Sequence, residues 1–211
     1  YNYDVKARGN IRLSKDRNFF LVHDLSKVYD DQVMLIITDR FHPELIDTLF
    51  LTMDYDRDQL CFDYKGENGA DGKKSETSSG DGYSGGDAPD LNILVEKRDH
   101  AITGLPTYRI HIIPEQGKSK HYIIGNNNTL TIKAPGGSGG KGSNTSQGGD
   151  GANVTIITNV EYLDVEQIFI LVLRGGSPGR GTNGGSTSGM YGKNGSYTVT
   201  YNPDLVVTFE E

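Results

Sequence analysis

Short apolar runs recur along the chain, and most are of strand length. "QVMLIITD" (32–39), "LNILVEK" (91–97), "TYRIHII" (107–113), "KHYIIG" (120–125), "TLTIKA" (129–134), "NVTIIT" (153–158), "IFILVL" (168–173) and "SYTVTY" (196–201) are rich in β-branched and aromatic residues. Runs of this kind, bounded by Gly, Pro, Asn or Asp, predict strands. Alternation is clearest in the last, which sets Tyr197, Val199 and Tyr201 on one face and Thr198 and Thr200 on the other. "TLFLTMDYD" (48–56) and "QLCFDY" (59–64) read as a hairpin about Arg57-Asp58. "RNFFLVHDL" (17–25) fits a strand or a short helix, and "HPELIDTL" (42–49) could open a helix with Pro43 near its first position. The total is nine or ten strands.

Between the strands the pattern changes from period two to period three. Of the 28 glycines, 24 fall in the stretches 66–86, 136–151 and 175–195. Each stretch has a glycine run going out, a polar turn and a glycine run returning, with an apolar strand before and after. The outgoing runs are "GENGADG" (66–72), "GGSGGKG" (136–142) and "GGSPG" (175–179); the returning runs are "GDGYSGG" (80–86), "GGDG" (148–151) and "GMYGKNG" (189–195). Gly66, Gly69, Gly72, then Gly136, Gly139, Gly142, then Gly189, Gly192, Gly195 keep a spacing of three.

Period three is the repeat of a polyproline-II-type helix, which has no internal hydrogen bonds. Glycine at every third position leaves one edge without side chains, so neighbouring helices can approach until backbone N–H meets C=O. Six such runs would satisfy one another's polar groups. Disordered linkers are a competing reading, but they require no fixed spacing. A collagen triple helix needs long uninterrupted triplets and abundant proline, and this chain has 7 prolines. Calcium-binding nonapeptides want a tandem GGxGxD, whereas "GGDGAN" (148–153) has Asn153 at the ligand position and no tandem partner.

The run "FDYKGENGADGKKSETSSGDGYSGGDAPDLNILV" (62–95), with "GGSGGKGSNTSQGGDGANVTI" (136–156), resembles the glycine-rich N-terminal domain of the Obg GTPases in layout across about residues 60–201. The resemblance implies a mainly β fold, a barrel or sandwich carrying about six left-handed glycine helices. It does not extend to nucleotide hydrolysis. A P-loop needs G-x-x-x-x-G-K-[ST]; Ile112 stands where "GKS" (117–119) requires the first glycine, and Pro135 where Gly140-Lys141 requires it. Tips of some phage tail adhesins show a similar bundle. Residues 1–58, with the single glycine Gly9, read as a small β-rich region, separate or added to the barrel, and 59–211 as the glycine-rich domain.

Composition narrows the function. A net charge of -7 argues against nucleic acid as a partner. No apolar stretch reaches the length of a membrane span, so no membrane insertion is expected. One cysteine, Cys61, permits neither an internal disulfide nor a cysteine zinc site, and its strand setting predicts a buried small residue. Asp54, Asp56 and Asp58 would share a strand face and are the weak candidates for a divalent cation; a solvated acidic edge is the plainer reading. The five histidines show no metal or triad spacing, and His111, beside Arg109, is expected to be exposed. No catalytic residue and no cofactor are implied.

The polar turns remain. They hold Lys73, Ser75, Thr77 and Ser78; Asn144, Thr145 and Gln147; and Thr182, Asn183, Ser186 and Thr187. If the repeat is real they emerge together, and loops on a rigid scaffold are where recognition resides. Hydroxyl- and amide-rich loops suit a protein or carbohydrate surface. The expectation is a non-catalytic binding or structural module of the cell envelope or exterior, the placement resting on composition and on a start at Tyr1, read as a trimmed or mature product. The alternatives are a cytosolic stand-alone relative of the Obg domain docking on a large complex, and an enzyme of unknown type.

Overall fold

A computed structural model describes residues 2–8, 11–13, 20–22, 31–56, 60–73, 80–160, 165, 167–181 and 189–208. The protein is mainly β. Its strands are β1 (Tyr3–Arg8), β2 (Ile11–Leu13), β3 (Phe20–Val22), β4 (Gln32–Asp39), β5 (Ile46–Thr52), β6 (Leu60–Asp63), β7 (Leu91–Asp99), β8 (Pro106–Pro114), β9 (Lys120–Gly125), β10 (Leu130–Lys133), β11 (Val154–Thr158), β12 (Phe169–Val172) and β13 (Tyr197–Tyr201). They form sheets β1-β4-β5, β12-β10-β6 and β13-β11-β7-β8-β9, and the pair β2-β3.

Among the described residues no sheet closes, so the barrel expectation is corrected. Two open sheets share one core instead. Leu91, Ile93, Val95, Ile110, Ile112 and Ile156 from the five-stranded sheet meet Leu130, Ile132 and Phe169 from the three-stranded one. The edges β6 and β9 are bridged by side chains. Phe62 lies against Tyr122 with ring centroids 4.4 Å apart, and the Lys120 ammonium sits 5.1 Å over both Phe62 and Tyr64. Burial pushes the Tyr64 hydroxyl up to about 12, the result of placing a phenol in this seam.

Three local expectations change. The hairpin across 48–64 does not form: β5 pairs antiparallel with β4, and β6 pairs in parallel with β10. The segment 42–49 opens no helix, because Ile46 already lies in β5, whose β-branched and aromatic residues pair with β4. Cys61 is exposed; the β6 pleat turns Leu60 and Phe62 inward and Cys61 and Asp63 outward. On β13 the alternation is present, but Tyr197 and Tyr201 remain 43% and 60% exposed at the sheet edge.

The glycine runs carry on from the strands in the same lateral order. Leaving β6, backbone N–H groups of Tyr64, Gly66, Gly69 and Gly72 donate to the carbonyls of Lys133, Pro135, Ser138 and Lys141 at 2.7–2.9 Å. Leaving β10, those of Ala134, Gly136, Gly139 and Gly142 donate to Val172, Arg174, Ser177 and Arg180. On the returning side, Gly85, Ala88 and Leu91 donate to Gln147, Asp150 and Asn153, and Gly148, Gly151 and Val154 to Met190, Lys193 and Ser196. Outgoing segments thus extend the parallel strands β6, β10 and β12, and returning segments feed the parallel strands β7, β11 and β13.

The two layers are also stitched together. Gly137, Gly140 and Ser143 donate to Gly86, Tyr83 and Gly80, while Gly149 and Ala152 donate to Gly137 and Ala134. This explains a difference between runs. Segment 136–142 has neighbours on several sides and needs two bare edges, hence "GGSGGKG"; segments 66–72 and 189–195 lie outside and carry one glycine per three. At Gly137 a Cβ would stand 1.8 Å from the carbonyl oxygen of Glu67, a distance no side chain survives. Left-handed backbone is not the reason for these glycines, since positive φ among described glycines occurs only at Gly104 and Gly117, outside the runs.

Candidate functional site

The stems of all three polar turns meet at one end of the glycine segments. Gly80 N–H donates to Lys73 O at 2.8 Å and closes the first turn. Ser143 N–H donates to Gly80 O at 2.9 Å, tying the second turn to the first. Gly142 N–H donates to Arg180 O at 3.2 Å, and Gly142 bridges Gly181 in parallel, tying the second to the third.

Of the residues expected to line this face, Asn144 and Gln147 are exposed and Thr145 is half-buried, with Lys73 at the closing bond of its turn. Ser75, Thr77, Ser78, Thr182, Asn183, Ser186 and Thr187 lie outside the described residues. Ser146 went unnoticed in the sequence. It is buried, and its hydroxyl donates to Gly140 O at 2.6 Å, fastening the second turn onto the central segment. The Ser143 hydroxyl donates to the Asp81 carboxylate; that bond, with further help from Asn144, holds Asp81 below the usual carboxylate range.

A second feature missed in the sequence is a set of Asn and Asp side chains that bond across segments. Asn68 Oδ1 accepts from Ser138 N, Asp71 from Lys141 N, Asp87 from Asp150 N, and Asp150 from Lys193 N, at 2.6–3.0 Å. Asn194 Oδ1 accepts from Gly175 N at 3.0 Å. These residues cap the N–H groups that the glycine ladder leaves over. The signal was available: Asn68-Gly69, Asp71-Gly72, Asp150-Gly151 and Asn194-Gly195 each place Asx just before a ladder glycine.

The acidic candidates are placed differently from expectation. β5 ends at Thr52, so Asp54 and Asp56 are not on a strand face. Asp54 Oδ1 accepts from Asp56 N at 2.9 Å in a local turn, and Asp56 accepts from Asn127 Nδ2 at 3.2 Å. Asp58 lies outside the described residues, among which no group of three or more His, Cys, Asp or Glu gathers around a cation position. Asp54 and Asp56 rim a cleft of about 400 Å³ whose other walls include His100, Leu105, Pro106 and Asn126.

Behind that cleft lies the most buried polar cluster described. Asp31 has no exposed surface and a φ of 54°. Its carboxylate accepts from Tyr55 Oη at 2.9 Å, Arg98 at 2.5 Å and Ala101 N at 2.8 Å. Burial first, and the bond to Asp31 second, raise the Tyr55 pKa well above the ordinary phenol value. His100 Nδ1 receives the N–H groups of Ile102 and Thr103, so its proton sits on Nε2 and is donated to Met53 O at 2.9 Å. Its Nδ1 also lies 3.9 Å from the Asp31 carboxylate. The cluster anchors the sheet β1-β4-β5 to the five-stranded sheet, with which it shares no strand pairing among the described residues.

His111 is half-buried rather than exposed, because β8 and β9 set it directly opposite His121, with ring centroids 3.8 Å apart and the rings stacked. Burial, then the neighbouring imidazole, lower the His111 pKa from its ordinary 6.5. The unfolded chain then binds a proton that the folded chain resists. Stability falls as pH drops through about 6.5 and levels off below the folded value. Melting curves from pH 7.5 to 5.5 should show this fall reduced in His111→Gln; an equal fall in both chains would contradict the assignment.

No protein-family model, curated protein or solved structure matches the chain.

Proposed function

We propose that the six glycine runs are left-handed polyproline-II-type helices packed as a bundle, akin to the glycine-rich domain of the Obg GTPases without its GTPase domain. On this reading the protein is a non-catalytic module of the cell envelope or exterior. It presents polar loops to a protein or carbohydrate surface from a rigid base. The observation that carries it is the meeting of the three turn stems at one end, laced by Gly80–Lys73, Ser143–Gly80 and Gly142–Arg180 backbone bonds. Period-three donors in every segment and the restriction of positive φ to glycines outside the runs support the helix type. Exposed amide and hydroxyl groups on a backbone that cannot yield suit a partner recognised by its own hydroxyls and amides. The net charge of -7 disfavours nucleic acid, and no helix among the described residues is long and apolar enough to cross a membrane.

The test is a glycan and envelope-polysaccharide array probed with the parent chain and with Asn144, Thr145 and Gln147 changed together to Ala. Binding should fall at least about tenfold, a loss of about 1.4 kcal/mol, with melting little changed, because none of the three is buried and the one cross-turn bond lost, from Asn144 to Asp81, is at the exposed surface. No binding by the parent to glycans or to immobilised envelope proteins, or binding indifferent to the triple substitution, overturns the reading.

A further inference from the structure

Among the described residues, the sheet β1-β4-β5 ends in a strand whose outer edge pairs with no other strand. Asp39 N–H donates to Leu45 O and Met53 N–H to Asp31 O, so the odd-numbered residues of β5 carry the bonds to β4. The even-numbered residues turn their N–H and C=O outward. Thr48 N–H is taken by Asp47 Oδ1 at 2.8 Å, while the outward groups of Ile46, Phe50 and Thr52 have no hydrogen-bond partner among the described residues. Exposed edges in soluble proteins are normally blunted by charge, proline or a bulge. The opposite edge obeys: β1 carries Asp4 and Lys6, with Asp4 paired to Arg40 at 2.7 Å. β5 has the sequence IDTLFLT, with Asp47 its one charged residue.

Its side chains are exposed as well. Ile46 is 63% exposed, Phe50 59% and Leu49 46%, and Phe41 and Leu45 beside them are 73% and 60% exposed. These exposed apolar side chains flank the β5 edge on both faces of the sheet, where isolated surface apolar residues would need no explanation but a contiguous set marks a contact.

We propose that β5 is the pairing edge of a two-fold dimer, its occupant the β5 of a second copy of this chain. The strand is complementary to itself in one antiparallel register. With Thr48 opposite Thr48, Ile46 meets Phe50 twice, giving two aromatic–β-branched pairs about a Thr–Thr pair. Asp47 then lies opposite Leu49, so no like charges face each other. The same two-fold axis that pairs residue i with j pairs j with i, so one strand satisfies both halves of the contact. Thr48 N–H exchanges its bond to Asp47 for one across the axis, and the three-stranded sheets become one of six.

Sedimentation velocity between about 1 and 100 μM tests this on the whole chain. The parent should sediment as a dimer at the upper end, and Thr48→Lys and Phe50→Lys as monomers. Ile170→Lys, on the exposed face of β12 at 47% exposure, should leave the dimer intact. A parent monomeric throughout, or a dimer unaltered in Phe50→Lys, overturns the proposal. Should the lysine variants lose their fold, hydrogen exchange of the parent decides: amides of Ile46 and Phe50 that slow with rising concentration support β5 pairing, and amides indifferent to concentration overturn it.

Discussion

A Gly192→Val chain is expected to unfold about 10 °C below the parent, the shift that a loss of ~4 kcal/mol produces in a domain of this size. A Cβ at Gly192 would stand 1.7 Å from the carbonyl oxygen of Gly149 and 2.4 Å from its carbonyl carbon. Gly149 cannot retreat, since its own N–H is bonded to Gly137 O and its carbonyl receives Gly176 N–H. Gly69→Val meets the same obstacle at 1.9 Å from Tyr83 O. The internal control is Gly86→Ala. A Cβ there finds its nearest neighbour at 3.5 Å, an ordinary contact. That variant should be neutral or gain about 0.5 kcal/mol, because alanine narrows the unfolded ensemble. If Gly192 and Gly86 respond alike, the glycines act as flexible linkers and the laterally bonded block is wrong.

Asp31→Asn is expected to cost about 3 kcal/mol, the range seen when one partner of a buried ion pair is removed. Asparagine tolerates the φ of 54° that Asp31 adopts, so the loss isolates the charge. Arg98, 26% exposed, keeps its guanidinium beside a neutral amide, and Tyr55 Oη and Ala101 N–H lose an anionic acceptor. Adding Arg98→Met should recover part of the loss, since the unpaired cation is then gone. Thermal melts of both single variants and the double variant read the coupling. Strict additivity would show that Asp31 and Arg98 do not act as a pair. Because the cluster joins β1-β4-β5 to the five-stranded sheet, exchange in 31–56 should rise before exchange in β10 or β11.

Strand positions were readable because hydrophobic alternation is local. "QVMLIITD" is β4 residue for residue, and "NVTIIT" and "SYTVTY" are β11 and β13 with one residue trimmed. Partners were not readable, because alternation sets which face is apolar and leaves the neighbouring strand open. β5 and β6 look like a hairpin in the chain, yet β6 is drawn to β10 by the glycine segments that follow both. The dipeptides Asn68-Gly69 and Asp71-Gly72 carry a local turn signature. Here they run straight, and the Asx side chains serve the next segment. Asp31 had no pattern to betray it, since its main partner, Arg98, is 67 residues away. His111 read as exposed because a strand's polar face reads as solvent; its stacking on His121 depends on the β8–β9 register.

By itself, then, the amino-acid order determined a mainly β chain, the place of most strands, and three glycine-lined excursions at period three, all of which follow from side-chain size and spacing along a few neighbouring residues. The tertiary structure alone decided that like strands of the three repeats lie parallel in two open sheets, that the turn stems converge and that Asp31 is buried against Arg98. Each of these depends on atoms far apart in the chain meeting at hydrogen-bond or van der Waals distance, and such meetings leave no periodic trace in the residues that make them.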